Sequence, residues 1–271
     1  MKAWSQIAVV GAGAVGCYFG AMLARAGNKV TLIGRQNHVD AVTRHGLLFR
    51  SRGAEERVRI AAMTDIAGVG GASLVLFCVK SLDTEDAARE MATHLAPDAV
   101  ILSLQNGVDN VERIGLHVKN KAMIAALFTA AGVPVKVSEN IDVELWTKLV
   151  MNCAYNAICA LSGAPYGRMV AMPEVADVMR DIVSEVAAVA KAKGVQLPVD
   201  IADAAIRLAD VMPRTMSSTA QDIAKGKRTE TEHLNGTVVR QGEALGIPTP
   251  VNLTLNALMK LLEQPKSGQP G

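Results

Sequence analysis

The spacing of apolar and polar positions divides the chain into two halves. In the first half, apolar runs at residues 7–10, 74–80 and 99–107 have the length of buried strands, and stretches with helical spacing lie between them. In the second half, apolar positions recur at helical spacing only. The pattern predicts an α/β domain with a doubly wound parallel sheet at residues 1–137, followed by an all-α domain at residues 138–271.

The turn after the first strand has a sequence that suits a dinucleotide. "GAGAVG" at residues 11–16 opens an apolar helical run that closes at Gly27. Gly11 permits a tight turn, Gly13 lets the backbone approach a pyrophosphate, and Gly16 allows the helix to pack closely on the strand. The alternative is a glycine-rich turn without a ligand. The predicted cofactor contacts of this Rossmann-type domain are Gly11, Ala12, Gly13, Ala14, Val15 and Gly16.

The end of the second predicted strand, at residues 29–34, indicates which dinucleotide binds. Sites that prefer NAD place Asp or Glu there, about twenty residues after the glycines, to hold the ribose 2′-hydroxyl. This chain has Arg35 instead. We expect Arg35 to bind the 2′-phosphate of NADP(H), with no carboxylate beside it to repel that phosphate, and His38 to lie nearby. An exposed loop arginine is the alternative.

Two polar residues lie at the predicted carboxyl ends of strands, where parallel sheets bind their ligands. Lys80 ends one apolar run, and Asn106 comes at the end of the next. We expect both to face the nicotinamide and the substrate. The alternative is that each only caps a strand end or a turn.

The first helix of the second half carries a polar stripe. In "ELWTKLVMNCAYN", residues 144–156, Lys148, Asn152 and Asn156 are spaced four apart. Successive members turn by about 40° and the set climbs about 12 Å, so the three side chains share one helical face. Apolar residues occupy the other faces, which favours a stripe that borders a cavity. A solvent-facing strip on an amphipathic helix is the alternative.

Further polar candidates lie in "SSTAQD" and "TETEHLNG", at residues 217–222 and 229–236. The candidates are Ser218, Asp222, Glu230 and Asn235. Ser218 with Gln221 also matches a capping box, which would be a purely structural role. Glu230 is expected at the beginning of a helix predicted for residues 229–245, where an exposed helical glutamate is the alternative.

The composition and the residue spacing argue against several classes of function. The 271 residues carry a net charge of +2 and only 3% aromatic residues, so no nucleic-acid partner is expected. No apolar run reaches the roughly eighteen residues that span a bilayer, and no metal-ligand spacing is present. The four cysteines lie in apolar runs without CxxC spacing, which predicts reduced thiols in a cytoplasmic protein. The sequence leaves a homodimer open.

Taken together, these motifs resemble the ketopantoate reductase (2-dehydropantoate 2-reductase) family along both halves of the chain. The matching features are "GAGAVG", Arg35, Lys80, "QNG" at 105–107, "WTKLVMNCAYN" at 146–156, "SSTAQD" and "TETEHLNG". The resemblance implies NADPH-dependent reduction of a 2-oxo acid, 2-dehydropantoate, to pantoate in pantothenate biosynthesis.

The resemblance also implies roles for particular residues. Lys148 would be the catalytic acid, Glu230 its active-site partner, and Asn106 would lie between nicotinamide and substrate. The substrate's carboxylate and hydroxyl groups would be bound by Asn152, Asn156 and Ser218. An ammonium group suits this chemistry, because hydride addition to a ketone makes an alkoxide that needs charge stabilisation and a proton. Burial would lower the pKa of Lys148 and a carboxylate such as Glu230 would raise it, and the sequence leaves the net direction open.

The chain departs from the family pattern in two places. After residues 107–118, family members continue into further strands, whereas here one predicted helical segment meets the next at Val118–Lys119. Either those strands are lost or the sequence closes over a missing segment. Tyr166 stands where the family often has another substrate-binding asparagine. The alternatives are a related NADPH-dependent reductase of another 2-oxo or 3-hydroxy acid and a non-catalytic dinucleotide-binding paralogue.

Overall fold

Five parallel strands form the sheet of the N-terminal half in the computed structural model, which describes residues 4–51, 54–108 and 121–264. The sheet order is β5-β2-β1-β6-β7, and β3 and β4 form a separate antiparallel hairpin. The strands are β1 Ile7–Val10, β2 Val30–Ile33, β3 Leu47–Ser51, β4 Ala54–Val58, β5 Ala61–Met63, β6 Leu74–Phe77 and β7 Val100–Ser103. By its internal contacts the chain divides into Met1–Glu139 and Asn140–Gly271.

Helices cover both faces of the parallel sheet. Ile7 and Val9 of β1 face a core cluster that includes Phe128, whereas Ala8 and Val10 face a second cluster that includes Met91. This alternation follows the two-residue repeat of a strand, and it requires apolar residues at every strand position. The helices of this unit are α1 Ala14–Arg25, α2 Gln36–His45, α3 Thr84–Ala92 and α4 Lys121–Ala130. The predicted doubly wound α/β fold is confirmed.

The C-terminal unit is helical throughout its described residues. Its helices are α5 Ile141–Ser162, α6 Tyr166–Val170, α7 Pro173–Ala192, α8 Ile201–Val211, α9 Ser218–Ala224, α10 Asn235–Leu245 and α11 Pro250–Glu263. Asn140 caps the first turn of α5 by accepting a hydrogen bond from the Val143 amide, and Gly163 ends the helix in a left-handed conformation. The predicted all-α fold is confirmed.

The structure differs from the sequence prediction at several elements. The hairpin β3–β4, strand β5 and helices α2 and α6 were not predicted. The helix predicted for residues 229–245 is divided, because a short 3-10 turn at Thr231–His233 precedes α10 and Leu234 between them leaves the helical conformation. The predicted junction at Val118–Lys119 lies outside the described residues. None of the described helices is long and apolar enough to cross a membrane.

Candidate active site

Two glycines of the turn after β1 have no room for a side chain. Gly11 has a φ of +104°, and a Cβ there would lie 2.7 Å from the backbone of Cys78, at the end of the neighbouring strand β6. A Cβ on Gly16 would lie 2.1 Å from the carbonyl oxygen of Gly11. The predicted roles of Gly11 in the tight turn and of Gly16 in helix packing are confirmed.

The same turn leaves an open helix end beside the sheet. A Cβ on Gly13 would meet no atom within 4 Å, and Gly13, Ala14 and Val15 are all exposed, whereas Ala12 is buried. No side chain caps the N-terminus of α1 at Gly13. Backbone N–H groups at such a helix end favour an anionic group. These residues therefore fit the pyrophosphate of a dinucleotide.

Arg35 lies two residues after the end of β2, at the N-cap position of α2, with its side chain 90% exposed. The expectation that no carboxylate lies beside it was wrong, because Oδ2 of Asp83 lies 3.9 Å from Nη2 of Arg35. Asp83 comes from the turn after β6, which is distant in sequence. His38 does lie near the glycine turn, since its Nδ1 is 2.8 Å from the carbonyl oxygen of Ala12.

Lys80 and Asn106 lie at the carboxyl ends of neighbouring strands and are both half-buried. The Ser81 hydroxyl donates a hydrogen bond of 3.2 Å to the Asn106 carbonyl, which joins the two strand ends. The side-chain amide of Gln105 donates to the Val79 carbonyl at 3.1 Å and to the Thr84 hydroxyl at 2.7 Å.

Ser81 and Gln105 therefore connect the segments that follow β6 and β7, a role that sequence reasoning missed. Gln105 could have been noticed, because it belongs to the "QNG" segment that carries Asn106. Gly107 has a φ of +102°, which allows the sharp exit predicted after this strand.

The polar stripe on α5 runs from the surface into the interior of the helical unit. Lys148 is exposed, Asn152 is half-buried and Asn156 is only 5% exposed. On the other faces of the helix, Leu149 and Val150 are fully buried. A solvent-facing strip would leave all three polar residues exposed, so that alternative fails for Asn156.

The Lys148 amine is electrostatically coupled to a carboxylate of the same unit. Although the residue is exposed, enough protein surrounds the amine for burial to lower its pKa from the usual 10.5, and the negative charge of Glu230 partly raises it again. The net shift of the pKa is downward, so burial outweighs the carboxylate. A lysine with a lowered pKa gives up its proton more readily, which suits a general acid.

Glu230 is half-buried and lies just before the 3-10 turn, not within a helix as predicted. Its neighbours Thr229 and Thr231 are both buried, which holds the backbone at this point. An exposed helical glutamate, the alternative, is therefore excluded.

Ser218 is exposed at the first position of α9, and the capping residue is Ser217. The Ser217 hydroxyl accepts a hydrogen bond of 3.0 Å from the Ala220 amide and donates one of 3.3 Å to the Asn156 carbonyl. The capping-box alternative for Ser218 was wrong, and Ser217 is a residue that sequence reasoning missed. Its contact ties α9 to the helix that carries Lys148.

Both halves of the chain match family models. A model described as "Ketopantoate reductase PanE/ApbA" matches residues 7–142, and one described as "Ketopantoate reductase PanE/ApbA C terminal" matches residues 140–263. Within residues 4–51, 54–108 and 121–264, no group of three or more His, Cys, Asp or Glu side chains is arranged to hold a metal ion.

Individual relatives agree with these matches. A 2-dehydropantoate 2-reductase of Halobacterium salinarum is 30% identical, with 96% of this chain and 99% of that protein covered. One of Pyrococcus horikoshii is 28% identical, with 95% and 97% covered. The alignment with the Halobacterium protein extends over 301 residues, so that relative carries residues without a counterpart among the 271 of this chain.

Solved structures share the fold along nearly the whole chain. The crystal structure of a PanE/ApbA family ketopantoate reductase from Ralstonia eutropha JMP134 is 48% identical, covers 95% of this chain and 98% of its own, and has a TM-score of 0.90. A structure of D-mandelate dehydrogenase with NADH has a TM-score of 0.87 at 23% identity, with 95% and 98% covered. The second likeness concerns the fold alone.

Proposed function

Because this chain belongs to the ketopantoate reductase PanE/ApbA family, we propose that it reduces 2-dehydropantoate to pantoate with NADPH. The observation that carries the proposal is the electrostatic influence of Glu230 on the partly enclosed Lys148 amine, inside the unit that matches the family's C-terminal model. A protein that only bound a dinucleotide would need neither an amine with a lowered pKa nor a carboxylate acting on it.

The N-terminal unit binds the cofactor through backbone groups and two cations. The uncapped N-terminus of α1 binds the pyrophosphate, Arg35 binds the 2′-phosphate of NADPH, and Lys80 and Asn106 contact the nicotinamide end. Bound NADPH supplies a hydride. The choice of NADPH over NADH rests on Arg35, whose guanidinium suits a phosphate rather than a hydroxyl.

The C-terminal unit supplies the proton. The Lys148 ammonium donates a hydrogen bond to the ketone oxygen and then gives its proton to the alkoxide that forms there. Glu230 keeps part of the positive charge on that amine by its field. Asn152, Asn156 and Ser218 hold the substrate's carboxylate and hydroxyl groups, and Asn106 contributes to substrate binding as well as to cofactor binding.

The test is the loss of NADPH absorbance when 2-dehydropantoate is added to the purified protein, with pyruvate and oxaloacetate as comparison substrates. We expect turnover with 2-dehydropantoate and weaker turnover with the two simpler acids. Repeating the assay with NADH measures the preference for the 2′-phosphate. Binding of NADPH without turnover of any 2-oxo acid would instead identify a non-catalytic paralogue.

A second candidate substrate is favoured by one residue. Tyr166, where the family often has asparagine, is buried, and its ring lies 4.1 Å from that of Tyr155 between centroids. Burial also raises the pKa of its hydroxyl, so it stays neutral. A position without an amide fits a 2-oxo acid with fewer polar groups, and faster turnover of such an acid in the panel would support this candidate. A homodimer and a cytoplasmic location stay predictions.

A further inference from the structure

The last helix, α11, carries a polar face that contacts the segment around Glu230. Its four members, which we call the bracing face, are Asn252, Asn256, Lys260 and Glu263. Their spacing of four, four and three residues places them within about 80° of one another around the helix axis. All four contact residues between Thr229 and Asn235, the stretch that includes Glu230.

The contacts are distributed along that stretch in order. Glu263 accepts a hydrogen bond of 2.8 Å from the Thr229 amide and another from its hydroxyl. Lys260 and Asn256 contact the Glu232 carboxylate at 2.7 and 3.3 Å. These contacts hold Thr229, before Glu230, and Glu232, after it, against the same helix, α11.

Asn235 joins the same stretch to the helix that carries Lys148. Its side-chain amide donates to the side-chain oxygen of Asn252 at 2.9 Å and to the Cys153 carbonyl of α5 at 3.4 Å. Both Asn235 and Asn252 are completely buried, so these hydrogen bonds form away from water. The Glu230 stretch is thus held between α11 and α5.

We propose that Glu263 is a positioning residue for Glu230, because its contacts to Thr229 fix the backbone next to the carboxylate that acts on Lys148. The inference rests on the proposed function of Lys148 and Glu230. Glu263 contributes more than Lys260, because it binds a backbone N–H and a buried hydroxyl in one geometry. The Lys260–Glu232 ion pair is 58% and 38% exposed and is screened by solvent.

The experiment compares three variants of the full chain. Glu263→Ala removes both contacts to Thr229, whereas Glu263→Gln keeps an oxygen that can accept from the Thr229 amide. Thr254→Ala is the control, since Thr254 lies on the exposed side of the same helix and its hydroxyl donates to the Pro250 carbonyl of that helix at 2.8 Å.

We expect Glu263→Ala to lower kcat about 10- to 100-fold, because a small displacement of an active-site group is costly. The KM for NADPH should stay unchanged, since the cofactor contacts belong to the other unit. Glu263→Gln should restore kcat to within about threefold of the original chain, because a neutral acceptor loses only part of the hydrogen bond. Thr254→Ala should have no effect on kcat.

A second readout does not depend on turnover. The pKa of Lys148 can be followed by NMR in protein with labelled lysine, assigned with Lys148→Ala. Glu230 raises this pKa, so displacing its carboxylate must move the titration of Lys148 to lower pH. Glu263→Ala should shift it in that direction, as Glu230→Gln does, and Glu263→Gln and Thr254→Ala should not.

These outcomes separate the two proposals. If the original chain turns over no 2-oxo acid, the proposed function fails, and the NMR titration still tests the positioning role. An unmoved titration in Glu263→Ala overturns that role, as does a loss of kcat that Glu263→Gln does not restore. If Glu263→Ala does not fold, Thr229→Val replaces it, because it removes the hydroxyl contact to Glu263, together with the contacts of that hydroxyl to Thr231, and keeps the amide contact to Glu263. It should shift the titration in the same direction by a smaller amount.

Discussion

The two sets of candidate functional residues, one in each unit, are built in different ways. Around Gly11 and Gly16 the site consists of backbone, and its shape depends on the absence of side chains. Around Lys148 and Glu230 the functional groups are side chains, and the backbone near them is contacted by the side chains of Ser217 and Glu263. A substitution in the first region therefore acts through space that a new atom fills, and a substitution in the second acts through a functional group that is lost.

The largest effect should come from the side-chain region. Lys148→Ala should lower kcat by about 10² to 10⁴-fold, since it removes the proposed general acid, and leave NADPH binding unchanged. Steady-state kinetics and a fluorescence titration with NADPH measure the two quantities. Lys191→Ala, an exposed lysine at the end of α7, is the matched control. Near-normal turnover in Lys148→Ala would remove this residue from the mechanism. The side-chain region would then no longer be part of the candidate site.

The activity of the unaltered chain should also depend on pH in a defined direction. Lys148 must be protonated to act as an acid, and its pKa lies below 10.5. The rate of reduction should therefore be constant at low pH and fall as pH rises through that lowered pKa. A rate that rises through the same range would contradict the assignment of Lys148 as the proton donor.

Two glycines sharpen the contrast within the backbone region. Gly16→Ala should lower the free energy of unfolding by about 3 kcal/mol, because its Cβ would overlap the Gly11 carbonyl oxygen. Gly13→Ala should change stability by less than about 0.5 kcal/mol, since no atom lies within 4 Å of the new Cβ. It should nevertheless weaken NADPH binding, because the methyl group occupies the space where the pyrophosphate approaches. Urea unfolding and NADPH titration together distinguish the two, and unchanged NADPH affinity in Gly13→Ala would place the cofactor elsewhere.

A smaller effect is expected at Arg35. Arg35→Ala should weaken NADPH by about 10- to 100-fold through the loss of a charge-assisted contact, and leave NADH nearly unchanged. Titrations with both nucleotides measure this. Equal losses of affinity for the two nucleotides would show that Arg35 does not bind the 2′-phosphate. Cofactor binding in this region would then depend on backbone groups alone.

The smallest effect concerns the carboxylate that the sequence did not reveal. Asp83→Asn removes a negative charge 3.9 Å from Arg35 and should tighten NADPH by about two- to fivefold, as expected for an exposed ion pair. The gain should shrink as salt is added. Asp86→Asn, an exposed aspartate paired with Arg89, is the control. A loss of NADPH affinity in Asp83→Asn would mean that Asp83 orients Arg35 rather than competing for it.

The fold class of each half could be predicted from the sequence, because the local spacing of apolar residues specifies it. The alternation of strands and helices in the first half and the all-α second half both follow from apolar periodicity. Strand β5 has only three residues, and β4 of the hairpin has three consecutive charged residues, so neither resembled a buried strand. β5 depends on pairing with β2, which is distant in sequence, whereas β3 and β4 are neighbours in sequence and pair with each other.

The candidate site was predictable in its residue types but not in its supports. The glycine turn and the Lys148 stripe are local patterns, whereas the Arg35–Asp83 contact joins two separate turns. Ser217 and Ser218 both suit an N-cap, and only the structure shows that Ser217 occupies it. Glu230 lies outside the helix because Leu234 adopts a non-helical conformation, which the spacing of apolar residues does not predict.

The contact between Glu263 and Thr229 also has a consequence for protein synthesis. Lys148 and Glu230 are both synthesised before Glu263. A nascent chain can therefore form the helix that carries the amine while the opposing carboxylate still lacks its anchor. The synthesis of α11 must therefore come before the contact that fixes the backbone next to Glu230, and a stop codon that removes α11 would leave every proposed active-site residue in the chain but Glu230 unanchored.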